Sequence, residues 1–239
     1  MYFVMSRNNM GLQENDSRAV LVAEGITHRF DPKEPPIMDG IGFIVNENER
    51  IAITGPSGAG KSTLLHIMSG LKNPTQGRVM VDQYWLNRMS DEKLSQYRNQ
   101  KIGFVYQSDS LLRDFNALEN ISLPLIIRGE RAEIARRHAV HVMSGLNMQT
   151  LAQRMPNQLS GGERQRIAIA RALITQPVIL FADEPTGNLD AANTERVMDT
   201  LLAAQKIHPM ACVIATHDQS ILKYFDRVID VCTLNGVRN

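Results

Sequence analysis

Gly55-Pro56-Ser57-Gly58-Ala59-Gly60-Lys61-Ser62-Thr63 lies between an apolar run, Ile51-Ala52-Ile53-Thr54, and Leu64-Leu65-His66-Ile67-Met68, which reads as the apolar face of a helix. The order strand, glycine loop, helix is the setting in which Gly-x-x-x-x-Gly-Lys-Ser carries mechanism. Glycines let the backbone curl so that successive N–H groups point inward at an anion. A helix starting near Gly60 aims its positive end at the same place. Lys61 adds a mobile full charge, and the Ser62 hydroxyl can bind Mg²⁺. The stretch implies a nucleoside triphosphate site, and everything else in the chain bears on what that energy drives.

The 239 residues suffice for one large domain, or a core with a subdomain. Hydrophobic residues make up 43% and charged residues 21%, as in a globular chain. A net charge of +1, from 26 basic and 25 acidic residues, argues against nucleic acid as the main partner. No run of about 18 apolar residues occurs, so no transmembrane helix is expected. Residues 1–19 read as a flexible extension whose apolar start, Met1 to Met5, is too short for a signal-peptide core. Met5 and Met10 offer alternative starts. Without a membrane segment of its own, the chain is expected in the cytosol unless a partner holds it at a membrane. Cys212 and Cys232 both fall in apolar runs that read as strands, and as buried inert thiols.

Upstream of the loop, Leu21 to Phe30 and Ile41 to Val45 read as strands, separated by a proline-bearing loop from Pro32 to Pro36. Downstream, Asn73 to Gly77 reads as a turn, Arg78 to Asp82 as a strand, and Ser90 as the cap of a helix running to Arg98. Lys101 to Tyr106 is β-rich and ends at Gln107. From Ser108 to about Pro156 helical periodicity dominates (Ala117 to Leu125, Ala132 to Leu146), as for a helical subdomain inserted into an α/β core. Ser160 and Glu163 have capping-box spacing at the start of a helix to about Ile174. Pro177 to Ala182 and Ala211 to Thr216 read as buried parallel strands, with the helix Ala191 to Gln205 between them. Ile221 to Val231 reads as a short helix and a strand.

Asp183 and Glu184 close the first of those buried strands. Adjacent residues at a strand end point to opposite sides. One carboxylate can then face Mg²⁺ while the other faces a water in line with the γ-phosphate. Asp183 suits the metal, together with Ser62, and Glu184 suits the base that deprotonates the water. His217 ends the second buried strand on the same presumed edge, where ligands of open α/β sheets sit. Leu159-Ser160-Gly161-Gly162-Glu163 puts bare glycine N–H groups and a hydroxyl at a helix N-terminus, a second anion site in one chain.

With these motifs in order, the sequence resembles the ATP-binding subunits of ABC transporters from Val20 to Gly236: the phosphate loop, Gln107, Leu159 to Glu163, Asp183-Glu184, Asn188-Leu189-Asp190 and His217. The resemblance implies a P-loop α/β core with an N-terminal antiparallel β subdomain and an inserted helical subdomain over about 108–158. It implies ATP and Mg²⁺ as ligands, with the nucleotide on Gly55 to Thr63. Two copies would pair head to tail, and Ser160, Gly161, Gly162, Glu163 and Asp190 would reach across to the other copy's nucleotide. Gln107 would join the Mg²⁺ and water shell, and Phe30 would stack on adenine where tyrosine is usual. Arg98 to Gln107, Leu111-Leu112, Ala117 to Asn120, Leu123-Pro124-Leu125 and Ala182 to Asp190 are similar to the lipoprotein-releasing branch, which includes macrolide-export and cell-division relatives. That implies integral membrane subunits as partners and a peripheral place on the cytoplasmic face of the bacterial inner membrane. Ser108 to Asn120 would line the groove for those subunits, with Leu111, Leu112 and Phe115 as apolar contacts or as core.

Two other classes fit less well. A soluble ABC-type ATPase acting on nucleic acid or ribosomes usually carries two motif sets or a long coiled coil. This chain has one set, and only about 50 residues separate Gln107 from Leu159. A small-molecule P-loop kinase leaves Leu159 to Glu163 and His217 unexplained.

Overall fold

The structure, a computed structural model, describes residues 18–234. Nearly all of the expected extension over 1–19, and the chain end at Gly236, lie outside the described residues. The elements in order are β1 (Ala19–His28), β2 (Met38–Asn46), β3 (Arg50–Thr54), α1 (Lys61–Met68), β4 (Gln76–Val81), β5 (Tyr84–Trp85), α2 (Asp91–Lys101) and β6 (Ile102–Val105). Then come α3 (Ala117–Ile127), α4 (Ala132–Gly145), α5 (Gly161–Leu173), β7 (Ile179–Asp183), α6 (Ala191–Ile207), β8 (Ala211–Ala215) and β9 (Arg227–Asp230).

The strands form two sheets. One is antiparallel in the order β2-β1-β4-β5; the other is parallel in the order β6-β7-β8-β3-β9. Continuous apolar runs in β7 and β8 are explained by burial on both faces. Leu180, Ala182, Cys212 and Ile214 pack into one hydrophobic cluster, while Ile179, Phe181, Ala211, Val213 and Ala215 pack into the other. This is the two-residue alternation of strand side chains, with both sides covered. Register then aligns the carboxyl ends. Val105 pairs with Ala182, Asp183 with Ala215, Ile53 with Ala215, and Thr54 with Asp230. Gln107, Glu184, His217 and the glycine loop therefore leave the sheet at one edge, although they are far apart in sequence.

Several boundaries differ from the sequence expectation for physical reasons. β1 stops at His28, so Phe30 stands beyond the strand. The expected strand to Asp82 ends at Val81, because Asp82 (φ 43°) and Gln83 (φ 70°) form a tight hairpin turn into β5, which the sequence did not reveal. Gln76 and Gly77 belong to β4 rather than to the preceding turn. Gly77 has φ 90°, and a Cβ there would lie 2.4 Å from the Gly25 carbonyl oxygen, so only glycine fits this strand crossing. Cys232 is corrected. It lies in a short helical turn, Val231–Leu234, and is exposed, whereas Cys212 in β8 is buried and its thiol is pushed up to about 12 by desolvation. The run was apolar enough for a strand, but the sheet ladder ends at Asp230, whose Oδ1 accepts the Cys232 N–H at 2.8 Å.

Between β6 and α5 the chain builds α3 and α4 on a buried polar hub. Asn120 is fully buried; its Oδ1 accepts from Leu112 N at 2.8 Å, and its Nδ2 donates to the carbonyls of Leu112 (3.1 Å), Phe115 (2.9 Å) and Asn116 (3.1 Å). The hub satisfies backbone groups that the irregular 112–116 segment leaves without ladder partners. Asn120→Ala is expected to destabilise the fold by about 2–4 kcal/mol, read as a lower urea midpoint at unchanged slope.

Candidate functional site

The loop from Gly55 to Gly60 is shaped by positive φ values of 142° at Gly55, 79° at Gly58 and 94° at Gly60. A Cβ on Gly55 would meet Val231 Cγ1 at 2.8 Å, so a side chain would push the loop off the helical turn that follows β9. Gly60 caps α1 without any side-chain hydrogen bond, which leaves the first helical N–H groups open to an anion. Lys61 is buried, and its Nζ donates to the Gly55 and Pro56 carbonyls at 2.9 and 3.0 Å. The ammonium is thus held over the loop, within reach of whatever the loop binds. Ser62 is exposed on the first turn of α1.

Asp183 is the last residue of β7. It is buried, and its Oδ1 has no hydrogen-bond partner among the described residues. An unsatisfied buried carboxylate oxygen is costly, and a cation relieves that cost. No group of three or more His, Cys, Asp or Glu side chains that could hold a metal occurs among the described residues. A cation here would take one carboxylate, a hydroxyl and at most the Gln107 amide oxygen from the protein, and the rest of its oxygens from phosphate or water. That donor set suits Mg²⁺, a hard ion that keeps waters and phosphates in its shell.

Glu184 departs from plain strand alternation. Its N–H continues the ladder to the Ala215 carbonyl at 2.9 Å, then the backbone turns left-handed at φ 43° and Gly187 N–H closes back on the Glu184 carbonyl at 3.1 Å. Left-handed backbone at a non-glycine residue costs about 1–3 kcal/mol and persists where its surroundings over-determine it. The turn delivers the carboxylate to two partners. Oε1 meets His217 Nδ1 at 3.0 Å and Oε2 accepts from Gln107 Nε2 at 3.4 Å. Since a carboxylate only accepts, His217 carries its hydrogen on Nδ1 and leaves Nε2 free on an exposed ring. Two side chains, 77 positions before and 33 positions after Glu184, thus converge on its carboxylate.

Ser160 is the N-cap of α5. Its hydroxyl accepts from Glu163 N at 3.3 Å, and the Glu163 carboxylate accepts from Ser160 N at 2.8 Å. That backbone bond is the chief cause holding the Glu163 carboxyl below its ordinary value. Glu163 is therefore engaged in closing its own helix end. What α5 still offers is the Ser160 hydroxyl proton and the N–H groups of Gly161 and Gly162. Gly162 is buried against Asn193, whose Oδ1 would lie 2.7 Å from an added Cβ. Asp190 caps α6, with Oδ1 on Asn193 N at 2.8 Å and Oδ2 on Asn193 Nδ2 at 3.0 Å, so the two helix starts are tied through Asn193.

Phe30 is 62% exposed rather than part of the core. Lys72 Nζ stands 4.4 Å from its ring centroid, and the buried His28 ring meets it edge-on at 5.2 Å. Lys72 lies in the loop after α1, and no sequence spacing linked it to Phe30. The groove between the sheet and α3, about 430 Å³, is lined by Leu71, Phe104, Tyr106, Leu112, Pro124 and Ile127 among others. Of the expected contacts, Leu112 lines it, Phe115 is exposed outside it, and Leu111 is buried in the core. Much of the groove comes from α2, β6 and α3, whose convergence has no local sequence signature.

Comparison with known proteins agrees with this architecture. The family described as ABC transporter matches residues 38–187. The chain is 44% identical over 193 residues to the lipoprotein-releasing system ATP-binding protein LolD of Legionella pneumophila (strain Paris), covering 81% of this chain and 85% of that protein. It is 44% identical over 211 residues to the LolD of Blochmanniella floridana, covering 87% and 90%. Among solved structures, the dimeric post-hydrolysis state of the ATP-binding cassette MJ0796 bound to ADP and Pi superposes with a TM-score of 0.79 at 35% identity, covering 88% of this chain and 93% of that one. This chain belongs to the ABC transporter family, as one of its ATP-binding cassettes.

Proposed function

We propose that two copies of the chain clamp ATP and Mg²⁺ between them, hydrolyse the nucleotide, and drive membrane subunits that release lipoproteins from the bacterial inner membrane. The observation that carries the chemistry is the convergence of Gln107 and His217 on the Glu184 carboxylate. The cargo reading rests on the LolD relatives, similar over most of the chain. No helix among the described residues is long and apolar enough to cross a membrane, so membrane subunits would supply the translocation path. The cassette would then sit peripherally on the cytoplasmic face.

In this reading Gly55 to Thr63 wraps the phosphates with backbone N–H groups, and Lys61 leaves its two carbonyls for the β- and γ-phosphate oxygens. Phe30 stacks on adenine, a contact worth about 1–3 kcal/mol. Ser62, Asp183 and Gln107 would hold Mg²⁺, which neutralises charge building on the phosphate oxygens. Glu184 takes the proton of a water aimed at the γ-phosphorus. His217 fixes the Glu184 carboxylate through Nδ1 and presents Nε2 toward the γ-phosphate. The Ser160 hydroxyl and the Gly161 and Gly162 N–H groups of a second copy close the other side of the nucleotide, with Asp190 across the seam. Residues 108–158 act as the helical subdomain that meets the membrane subunits at the groove beside Leu112.

Ser160→Arg tests the clamp. The added side chain fills the space of the second copy's phosphate, so ATP-dependent dimers should vanish in size-exclusion chromatography while the monomer still binds ATP. Loss of ATP binding as well would mean misfolding. Pull-down of the membrane partner tests the cargo: a four-span subunit with a large periplasmic domain supports lipoprotein release, and a different partner refutes it.

A further inference from the structure

The chain around Phe30 is held from both ends of α1. At the carboxyl end, the Leu71 and Lys72 N–H groups donate to the His66 carbonyl at 2.8 and 3.0 Å. The loop that follows is tied to the end of β1: Thr75 N donates to the Thr27 carbonyl at 2.8 Å, and Arg29 N donates to Thr75 Oγ1 at 3.2 Å. At the amino end, a Cβ on Gly60 would lie 3.3 Å from Ile37 Cγ1, and Ile37 N donates to the His28 carbonyl at 2.9 Å. Phe30 is the exposed ring on this frame. The buried His28 ring, whose nitrogens have no hydrogen-bond partner among the described residues, meets it edge-on at 88°. Burial, with the charge of Lys72, lowers the His28 pKa and favours the neutral ring. Lys72 makes no ion pair among the described residues; its ammonium stands over the Phe30 ring instead, 4.4 Å from the centroid.

A cation within about 6 Å of a ring centroid is held by the ring's negative face. It draws π electrons toward itself, so the opposite face repels the π electrons of a stacked base less. Lys72 comes from the carboxyl end of α1, and the glycine loop leads into its amino end, about 12 Å away along the eight-residue helix. A nucleotide whose phosphates lie on that loop approaches Phe30 from the end remote from Lys72. We propose that Lys72 is a positioning residue for the nucleotide base, holding one face of Phe30 so that the other is fixed and electronically suited to stacking. The proposal rests on the reading that Phe30 carries the base, and it adds a residue that touches neither base nor phosphate.

The test is equilibrium binding of ADP and of pyrophosphate, each with Mg²⁺, to the full chain; the two ligands differ by the nucleoside. Lys72→Gln removes the charge at similar length. It should weaken ADP binding about 2–5-fold, the size of an exposed cation–π contact, and leave pyrophosphate binding unchanged. Lys72→Arg keeps a cation that also lies over aromatic faces, and it should bind ADP like the unaltered chain. In a Phe30→Ala background, Lys72→Gln should have no further effect on ADP. A merely structural role would lower the melting temperature and weaken both ligands together. Equal losses for ADP and pyrophosphate, unchanged or tighter ADP binding in Lys72→Gln, or an additive loss without the ring overturns the proposal. Phe30→Ala alone separates the two failures. If it weakens ADP binding more than about fivefold and Lys72→Gln does not, only the role of Lys72 falls. If it leaves ADP binding unchanged, Phe30 does not carry the base and both readings fall.

Discussion

Replacing Glu184 by glutamine is expected to cut ATP turnover by about 10²–10⁴-fold, the usual contribution of a positioned general base. The amide fills the same volume and still accepts at one atom, so the Gln107 and His217 contacts at 3.4 and 3.0 Å are only partly disturbed. The left-handed turn at φ 43° is kept. What is lost is the capacity to take a proton. Nucleotide affinity should stay within about threefold, because Glu184 faces water rather than phosphate in this mechanism. With cleavage blocked and binding intact, the paired state has no exit, so the variant should accumulate as an ATP-bound dimer in light scattering. Turnover near the unaltered rate would remove Glu184 from the role of base, and some other group would then have to activate the water.

Lys61→Ala should weaken ATP binding by about 10–100-fold, the loss expected for charge-assisted hydrogen bonds of about 1.5–3 kcal/mol. Equilibrium titration with a fluorescent ATP analogue measures it. The side chain is buried and its two present acceptors are backbone carbonyls, so truncation also leaves the Gly55 and Pro56 carbonyls short of a donor. Lys61→Arg separates the effects: charge is kept, but the larger planar head does not fit over the turn, and affinity should fall here too. Unchanged affinity in Lys61→Ala would contradict the cradle, because the loop N–H groups alone would then account for binding.

The glycine loop, the strand-end acids and the capped helix at Ser160 were legible because each is a local pattern with a local physical cause. Three glycines take positive φ, a buried strand stops at a carboxylate, and Ser160 and Glu163 close a box three residues wide. The same locality misled at Cys232, where an apolar stretch had no strand to pair with, and at Asp82, which was counted in the strand from Arg78 but is left-handed and turns the chain, with Gln83, into a hairpin. Apolar content reports burial, not ladder partners.

From its residues alone this chain declared a triphosphate cradle, a helix tip able to hold a second anion, and an α/β core with a helical insertion. Only the fold decided that Gln107 and His217 meet on Glu184, that Lys72 covers the ring of Phe30, that the groove draws on segments spread from Ser69 to Thr175, and that α5 grips the loop after β6 at Asp109. The first set is governed by backbone torsions and periodicity over a few residues. The second depends on parallel strands whose order along the sheet differs from their order in the chain, and no local pattern encodes that order.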